Sequence, residues 1–255
     1  MKNKKHFSII ALVLACVCLT GVLSACQPDA PNVYNTTAST AATEASGETQ
    51  PLTTEEVLPQ NPINFDELQD INSDLYAWIK IPNTVIDYPV AQSSNEDDNY
   101  YLHHNYMGNY EFAGTIYSQR HNSKYFVERM TVLYGHNMLD GSMFASLHDF
   151  SDPEFFEEND TMYIYIPGHI LTYKIFAAYD YDDRHIMNSF DFYKDDVYEQ
   201  YLKDCLNPHS ANAIVREGVE LDLDSRLVTL STCHDYNSSL RFLVQGVLVD
   251  DQRTQ

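Results

Sequence analysis

Basic side chains are scarce in this chain: 15 Lys and Arg stand against 37 Asp and Glu over 255 residues, a formal charge of −22. Three of those 15, Lys2, Lys4 and Lys5, fall in residues 1–26, which contain no acid. The remainder therefore carries 12 basic against 37 acidic residues, or −25. A surface of that sign repels phosphate backbones and anionic headgroups, which excludes nucleic acid and a basic grip on acidic lipid. Cationic, amine-bearing peptides are not repelled. Cysteine is nearly as scarce. Of five, Cys16, Cys18 and Cys26 lie in the first 26 residues, leaving Cys205 and Cys233 for everything beyond. That rules out a multi-disulfide framework and leaves at most one bridge. Internal repeats are absent as well.

What is present begins at the N-terminus. Lys2, Lys4 and Lys5 precede an almost unbroken apolar segment, Phe7 to Leu23, which ends "LSAC" at Cys26. A basic start, an apolar stretch and small residues before a cysteine resemble the lipobox of a bacterial lipoprotein, in which Cys26 would receive the lipid. The other reading is an uncleaved signal anchor, since about 17 apolar residues is the lower limit for crossing a bilayer. Both place the rest of the chain at the extracellular face of the cytoplasmic membrane, held there by its N-terminus. Residues 27–60 are rich in Thr, Ala, Ser, Pro and Glu without apolar periodicity, and are expected to form a disordered tether. At 5–6 Å times the square root of its length, such a tether reaches roughly 30 Å.

The domain proper is expected over residues 61–255. In "NFDELQDINSDLYAWI", Phe65, Leu68, Ile71, Leu75 and Trp78 recur at helical spacing with Asn64 as N-cap, which predicts one helix across the whole stretch. Eight strand-like runs follow: "IPNTVIDYPVA", "EFAGTIYSQ", "RMTVLYGHN", "TMYIYIPG", "LTYKIFAAYDYD", "NAIVRE", "RLVTLSTC" and "RFLVQGVLVD". Tyr, Phe, Val, Ile and Thr dominate them, as strands prefer. A helical insertion at about residues 192–206 interrupts the series. There Val197, Tyr201 and Cys205 recur every four residues, so Cys205 is expected on the inner, apolar face of a helix. Many short strands and few helices make the domain mainly β, a barrel or a sandwich.

Cys233 reads differently from Cys205. It stands at the end of the run "RLVTLSTC", not inside it, and Arg241 opens the next run eight residues later. Thiol and guanidinium are then expected at neighbouring ends of adjacent strands. His136 follows Gly135 just past the end of "MTVLYG", which places it at a rim. His103, His104, His148 and His169 read as ordinary surface residues. Cys, His and Arg at strand ends share a chemical logic. A cationic neighbour favours the reactive thiolate. Imidazole can pass a proton to a leaving amine and take one from an incoming amine. Arginine, always charged, can hold substrate and stabilise an oxyanion.

The segments "DLYAWIKIPNTVIDYPV", "AGTIYSQRHN", "VLYGHNMLDGSMFASL", "TLSTC" and "RFLVQGVLV" together resemble the sortases, the cell-surface transpeptidases of Gram-positive bacteria, and among them class B, over about residues 64–250. The resemblance implies a closed eight-stranded β-barrel with N-terminal helices and a helix inserted before the seventh strand. It implies His136 as acid/base, Cys233 as nucleophile and Arg241 as the residue that holds substrate and supports the oxyanion. It also implies Leu102 and Ser231 in the substrate groove and an assisting acid at Asp235, with no metal and no cofactor. The implied reaction cleaves a C-terminal sorting signal of an exported protein through a thioester at Cys233. The acyl group then passes to an amine of the peptidoglycan peptide or of a pilin. The lipobox departs from class B, whose members keep an uncleaved anchor.

Other readings fit less well. A papain-like protease needs Cys before His, whereas His136 precedes Cys233 by 97 residues. An L,D-transpeptidase clusters its His and Cys in one short motif. Zinc held by His136, Cys233 and His234 lacks a fourth ligand at local spacing. A non-catalytic peptide-binding lipoprotein remains the alternative from a different class, and predicts an inert, dispensable Cys233.

Overall fold

The computed structural model describes residues 30–35, 58–234 and 239–255. Cys26 and Asp235, two of the residues singled out above, lie outside the described residues, as does most of the expected tether, 36–57. Among the described residues no helix is long and apolar enough to cross a membrane.

Nine strands of the described residues form one sheet: β1 (Leu75–Lys80), β2 (Asp87–Ala91), β3 (Ile116–Tyr117), β4 (Met130–Tyr134), β5 (Thr161–Ile166), β6 (His169–Asp182), β7 (Ile214–Val215), β8 (Leu227–Cys233) and β9 (Leu240–Arg253). Their order is β5-β1-β2-β3-β4-β8-β9-β6-β7, and a further β5–β6 pairing, Thr161 to Lys174 through Ile166 to His169, closes the sheet on itself. The closed ring is an eight-stranded, mixed barrel, and the two-residue β7 is appended beside β5 on the same edge of β6. All eight runs expected from sequence contain a strand. The eight staves of the barrel are nevertheless a different set, because "NAIVRE" supplies only the appended β7 and an unforeseen strand, β1, takes its place.

The missed strand lay inside the expected N-terminal helix. Helix α1 (Phe65–Ile71) starts where predicted, with the Asn64 side chain accepting from Glu67 N at 3.3 Å. It stops at Ile71. The Asn72 side chain accepts from Asp74 N at 3.0 Å and donates to Tyr101 Oη at 2.8 Å and Tyr106 O at 2.9 Å, turning the chain into β1. Leu75 and Trp78, three residues apart, would face opposite sides of a regular strand. A register shift between Leu75 and Ala77 against β2 puts both into the cluster beneath α1, while Tyr76, Ala77 and Ile79 enter the barrel core. A β-bulge thus mimicked helical periodicity.

Two apolar layers support the site. Leu133, Val228, Leu230, Phe242 and Val244 fill the barrel interior. Met130, Val132, Leu227 and Leu243 point outward; after α1 the helices are α2 (Pro153–Glu158), the short α3 (Ile186–Ser189) and α4 (Asp195–Leu206), the last two in the β6–β7 connection. Helix α4 covers the four outward residues with Tyr198, Tyr201, Leu202 and Cys205. This is the inserted helix expected before the seventh strand. Cys205 is buried as expected, beside Tyr179, Tyr201 and Gln245, and burial pushes its thiol up to about 12. It stays protonated, and the two described cysteines are not bridged.

One expectation is corrected at the N-terminus. Residues 30–35, read as part of a disordered tether, lie against the barrel. Val33 is buried with Ile63 and Trp78, Asn64 N donates to Val33 O at 2.7 Å, and Asn35 N donates to Pro62 O at 2.8 Å. The Tyr34 ring meets Trp78 edge-on at 5.6 Å and its hydroxyl donates to Asp87. Asp87 also accepts from the Trp78 indole at 2.6 Å and from Lys80 Nζ at 2.7 Å. A short segment with two large anchors and a shared carboxylate can dock without periodicity of its own.

Replacing Asp87 with alanine leaves the buried Trp78 N–H without its acceptor and releases Tyr34. A loss of about 1–3 kcal/mol is expected, measurable by urea unfolding followed through Trp78, the sole tryptophan of the chain. An unchanged midpoint would show that apolar contact alone holds the strap.

Candidate active site

β4 and β8 run parallel and in register, Met130 opposite Leu227 through Tyr134 opposite Ser231. Their C-terminal ends therefore emerge at one rim. Cys233, the last residue of β8, is exposed there, and antiparallel pairing of β8 with β9 sets Arg241 directly across from it. The strand-end placement expected for thiol and guanidinium is what the sheet register produces. Arg241 is half-buried and its Nη1 donates to Leu240 O at 2.9 Å.

His136 sits two residues beyond β4. Gly135 N donates to Ser231 O at 3.2 Å, and Thr232 Oγ1 donates to Gly135 O at 2.9 Å, so the approach to His136 is tied to β8. A Cβ at Gly135 would lie 2.5 Å from Ile116 Cδ1 and 2.7 Å from Phe144 Cδ2. Glycine is needed there for space. His136 Nε2 lies 3.0 Å from the carbonyl of Leu102. A carbonyl only accepts, so Nε2 carries the hydrogen and Nδ1 is left as the nitrogen that exchanges a proton. Leu102 is in turn braced from below. Gly114 (φ +66°) comes so close that a Cβ would meet Tyr101 O and lie 2.5 Å from Leu102 O.

The imidazole is packed, not open. Phe112 stacks on it at 5.0 Å and His103 at 5.3 Å. Burial, with a smaller contribution from His103, holds His136 below its ordinary value and outweighs the Leu102 hydrogen bond, which acts the other way. The neutral ring therefore predominates at neutral pH.

His136, Cys233 and Arg241 line one cavity of about 310 Å³, together with Leu102 and the buried Ser231. Leu102 and Ser231, the two residues of the implied substrate groove within the described part of the chain, both line this cavity. Sequence reading missed Tyr117, Tyr134 and His185 in the same wall. Tyr117 and Tyr134 pack at 5.4 Å, and burial raises both hydroxyls, keeping them as neutral hydrogen-bonding groups. Their positions next to Ser118 and Gly135, where each apolar run ends, were the available signal. Two of the histidines read as surface residues are not ordinary: His103 stacks on His136, and His148 lies 3.1 Å from the carbonyl of Cys233. His104 and His169 have partners away from this rim instead: Tyr100, four residues back, and Asp251 on the neighbouring strand β9.

A closed mixed barrel carries a thiol, an imidazole and a guanidinium on one rim, the groups that thiol acyl transfer uses. A sortase domain profile matches residues 79–249. Sortase B of Listeria monocytogenes is 36% identical over 188 residues, covering 72% of this chain and 73% of its own. The crystal structure of Clostridium perfringens sortase B superposes with a TM-score of 0.66 at 32% identity, covering 73% of this chain and 100% of that one. A Staphylococcus aureus sortase B–substrate complex gives 0.64 at 26% identity, over 73% and 84%. The chain belongs to the sortase family, cysteine transpeptidases of cell-wall anchoring, with class B relatives.

Phe112 is 61% exposed and covers the His136 ring. Phe112→Ala admits water to that ring and relieves the penalty on its charged form, so the His136 pKa is expected to rise toward 6.5. NMR titration of the His136 ring protons checks this; an unmoved titration would assign the burial to other neighbours.

Proposed function

We propose that this chain cleaves a C-terminal sorting signal of exported proteins and joins the new carboxyl end to an amine of the peptidoglycan peptide or of a pilin. The observation that carries the reading is the register of β4, β8 and β9, which gathers His136, Cys233 and Arg241 around one cavity. The Cys233 thiol passes its proton to the neutral His136 ring as the sulfur attacks the scissile carbonyl carbon, forming a C–S bond, and the tetrahedral oxyanion is stabilised by the Arg241 guanidinium. As the C–N bond breaks, His136 delivers a proton to the leaving amine. The acceptor amine then loses a proton to His136 as it attacks the thioester; the new C–N bond forms, the C–S bond breaks, and His136 returns that proton to the sulfur, regenerating the thiol. One imidazole serves both transfers. Leu102 and Ser231 hold the peptide in this reading, and Asp235, two residues after Cys233, is the assisting acid. The fold's own sulfur contrast supports the assignment, since Cys205 is buried and protonated whereas Cys233 is exposed.

The test uses peptides copied from the C-termini of exported proteins of the same cell, each with a short motif, an apolar segment and a basic tail. Cys233→Ala is expected to abolish cleavage, and Cys205→Ala to leave kcat/KM within about threefold. Equal loss in both would overturn the nucleophile.

The location proposed is the outer face of the cytoplasmic membrane, with Cys26 lipidated or residues 7–23 kept as an anchor. The docked strap tightens this geometry. Only residues 27–29 separate Cys26 from Ala30, which packs on the barrel. At up to about 3.5 Å per residue, that chain spans no more than about 14 Å, not the roughly 30 Å of a free tether. The barrel would ride close to the bilayer, where substrates with apolar tails are also held. Intact mass of membrane-extracted protein is expected to show an N-terminal, lipid-bearing Cys26. An unprocessed, unlipidated terminus would return the segment to a signal anchor.

A further inference from the structure

The parallel ladder between β4 and β8 ends one rung short of the nucleophile. Gly135 N donates to Ser231 O at 3.2 Å. Two residues further on, the same pattern would bring Asn137 N to the carbonyl of Cys233. The chain instead leaves the sheet, turning through 137–143 and bridging Asn137 to Met143. Two side chains reach that carbonyl. Asn137 Nδ2 donates to Cys233 O at 3.3 Å, and His148 Nε2 lies 3.1 Å from the same oxygen.

His148 is well held for this position. It belongs to the 3-10 segment Ala145–Ser151, and its ring stacks on Phe242 at 4.7 Å, one residue from Arg241. The His234 ring meets it edge-on at 5.8 Å. Asn137 is the residue after His136. The Cys233 carbonyl is therefore a junction joining the backbone of the thiol, the residue beside the imidazole and the aromatic beside the guanidinium.

We propose that His148 is a positioning residue: as the Nε2–H tautomer it donates to the Cys233 carbonyl and fixes the peptide from which the thiol projects. This rests on Cys233 being the nucleophile. Asn137 Nδ2 also lies 3.1 Å from His148 Nε2. If both nitrogens donate, that approach is two donors converging on one oxygen. If His148 were instead the Nδ1–H tautomer, Nε2 would accept from Asn137 and leave the carbonyl to Asn137 alone. The tautomer decides between the two arrangements.

The first measurement needs no variant. Multiple-bond 1H–15N spectra of the wild-type protein identify the His148 tautomer at neutral pH. Nε2–H is expected, and Nδ1–H overturns the proposal. The second measurement uses His148→Phe, which keeps a ring on Phe242 but removes the donor, and His148→Gln, which keeps an N–H. With a sorting-signal peptide that the wild type cleaves, His148→Phe is expected to lower kcat tenfold or more with KM within about twofold. His148→Gln is expected to recover kcat to within about threefold, and both should melt within a few degrees of wild type. Wild-type kcat in His148→Phe, or equal loss in both folded variants, overturns the proposal. Failure of His148→Phe to fold leaves the tautomer and His148→Gln to decide. Cleavage surviving in Cys233→Ala is a separate result that removes the nucleophile assignment itself.

Discussion

Five parallel rungs between β4 and β8 join segments about a hundred residues apart, at the centre of the sheet, and the rim that carries His136, Cys233 and Arg241 hangs from them. Buried on both faces, by the barrel core on one side and α4 on the other, the two strands cannot slip by one residue without turning apolar side chains to the wrong layer. Register here is therefore enforced by packing on two sides. Because the strands run parallel, their ends coincide, and a thiol and an imidazole from distant segments meet. β9 pairs antiparallel with β8 and returns Arg241 to the same rim.

Precision beyond register comes from small features at the strand ends. Gly135 lets the chain pass between Ile116 and Phe144. Gly114 lies beneath the Leu102 peptide whose carbonyl fixes the His136 tautomer. Phe112 and His103 stack on the ring, and burial keeps it neutral. Each of these acts through backbone or ring contact, so the site is positioned by parts that carry no chemistry themselves.

The two described cysteines show how environment divides one functional group into two roles. Cys205, at an inner helix position beside two tyrosines and a glutamine, is a small core residue whose thiol burial keeps neutral. Cys233 ends a strand at the surface. The strap of residues 30–35 makes a comparable point about composition: a polar, aperiodic stretch docks where Val33 and Tyr34 find a pocket and a shared carboxylate. Low periodicity predicts no element, yet it does not prevent attachment.

Local pattern carried much of this protein. Strand-like runs, the inward face of α4 and the break in apolar character at Cys233 all depend on neighbours within about ten residues, and each was readable. The motifs around His136, Cys233 and Arg241 identified the family for the same reason, since their chemistry dictates residue types at short spacing. What tertiary structure decided is everything fixed by partners far along the chain. The bulge that turned an apparent helix into β1 exists only through pairing with β2. His148 and His103 differ in no local way from His104 and His169. Only the folded sheet brings His148 to the Cys233 carbonyl and His103 to the His136 ring. A contact spanning 85 residues leaves no periodic trace in sequence, because it is selected by three-dimensional packing and not by the repeat of a helix or strand.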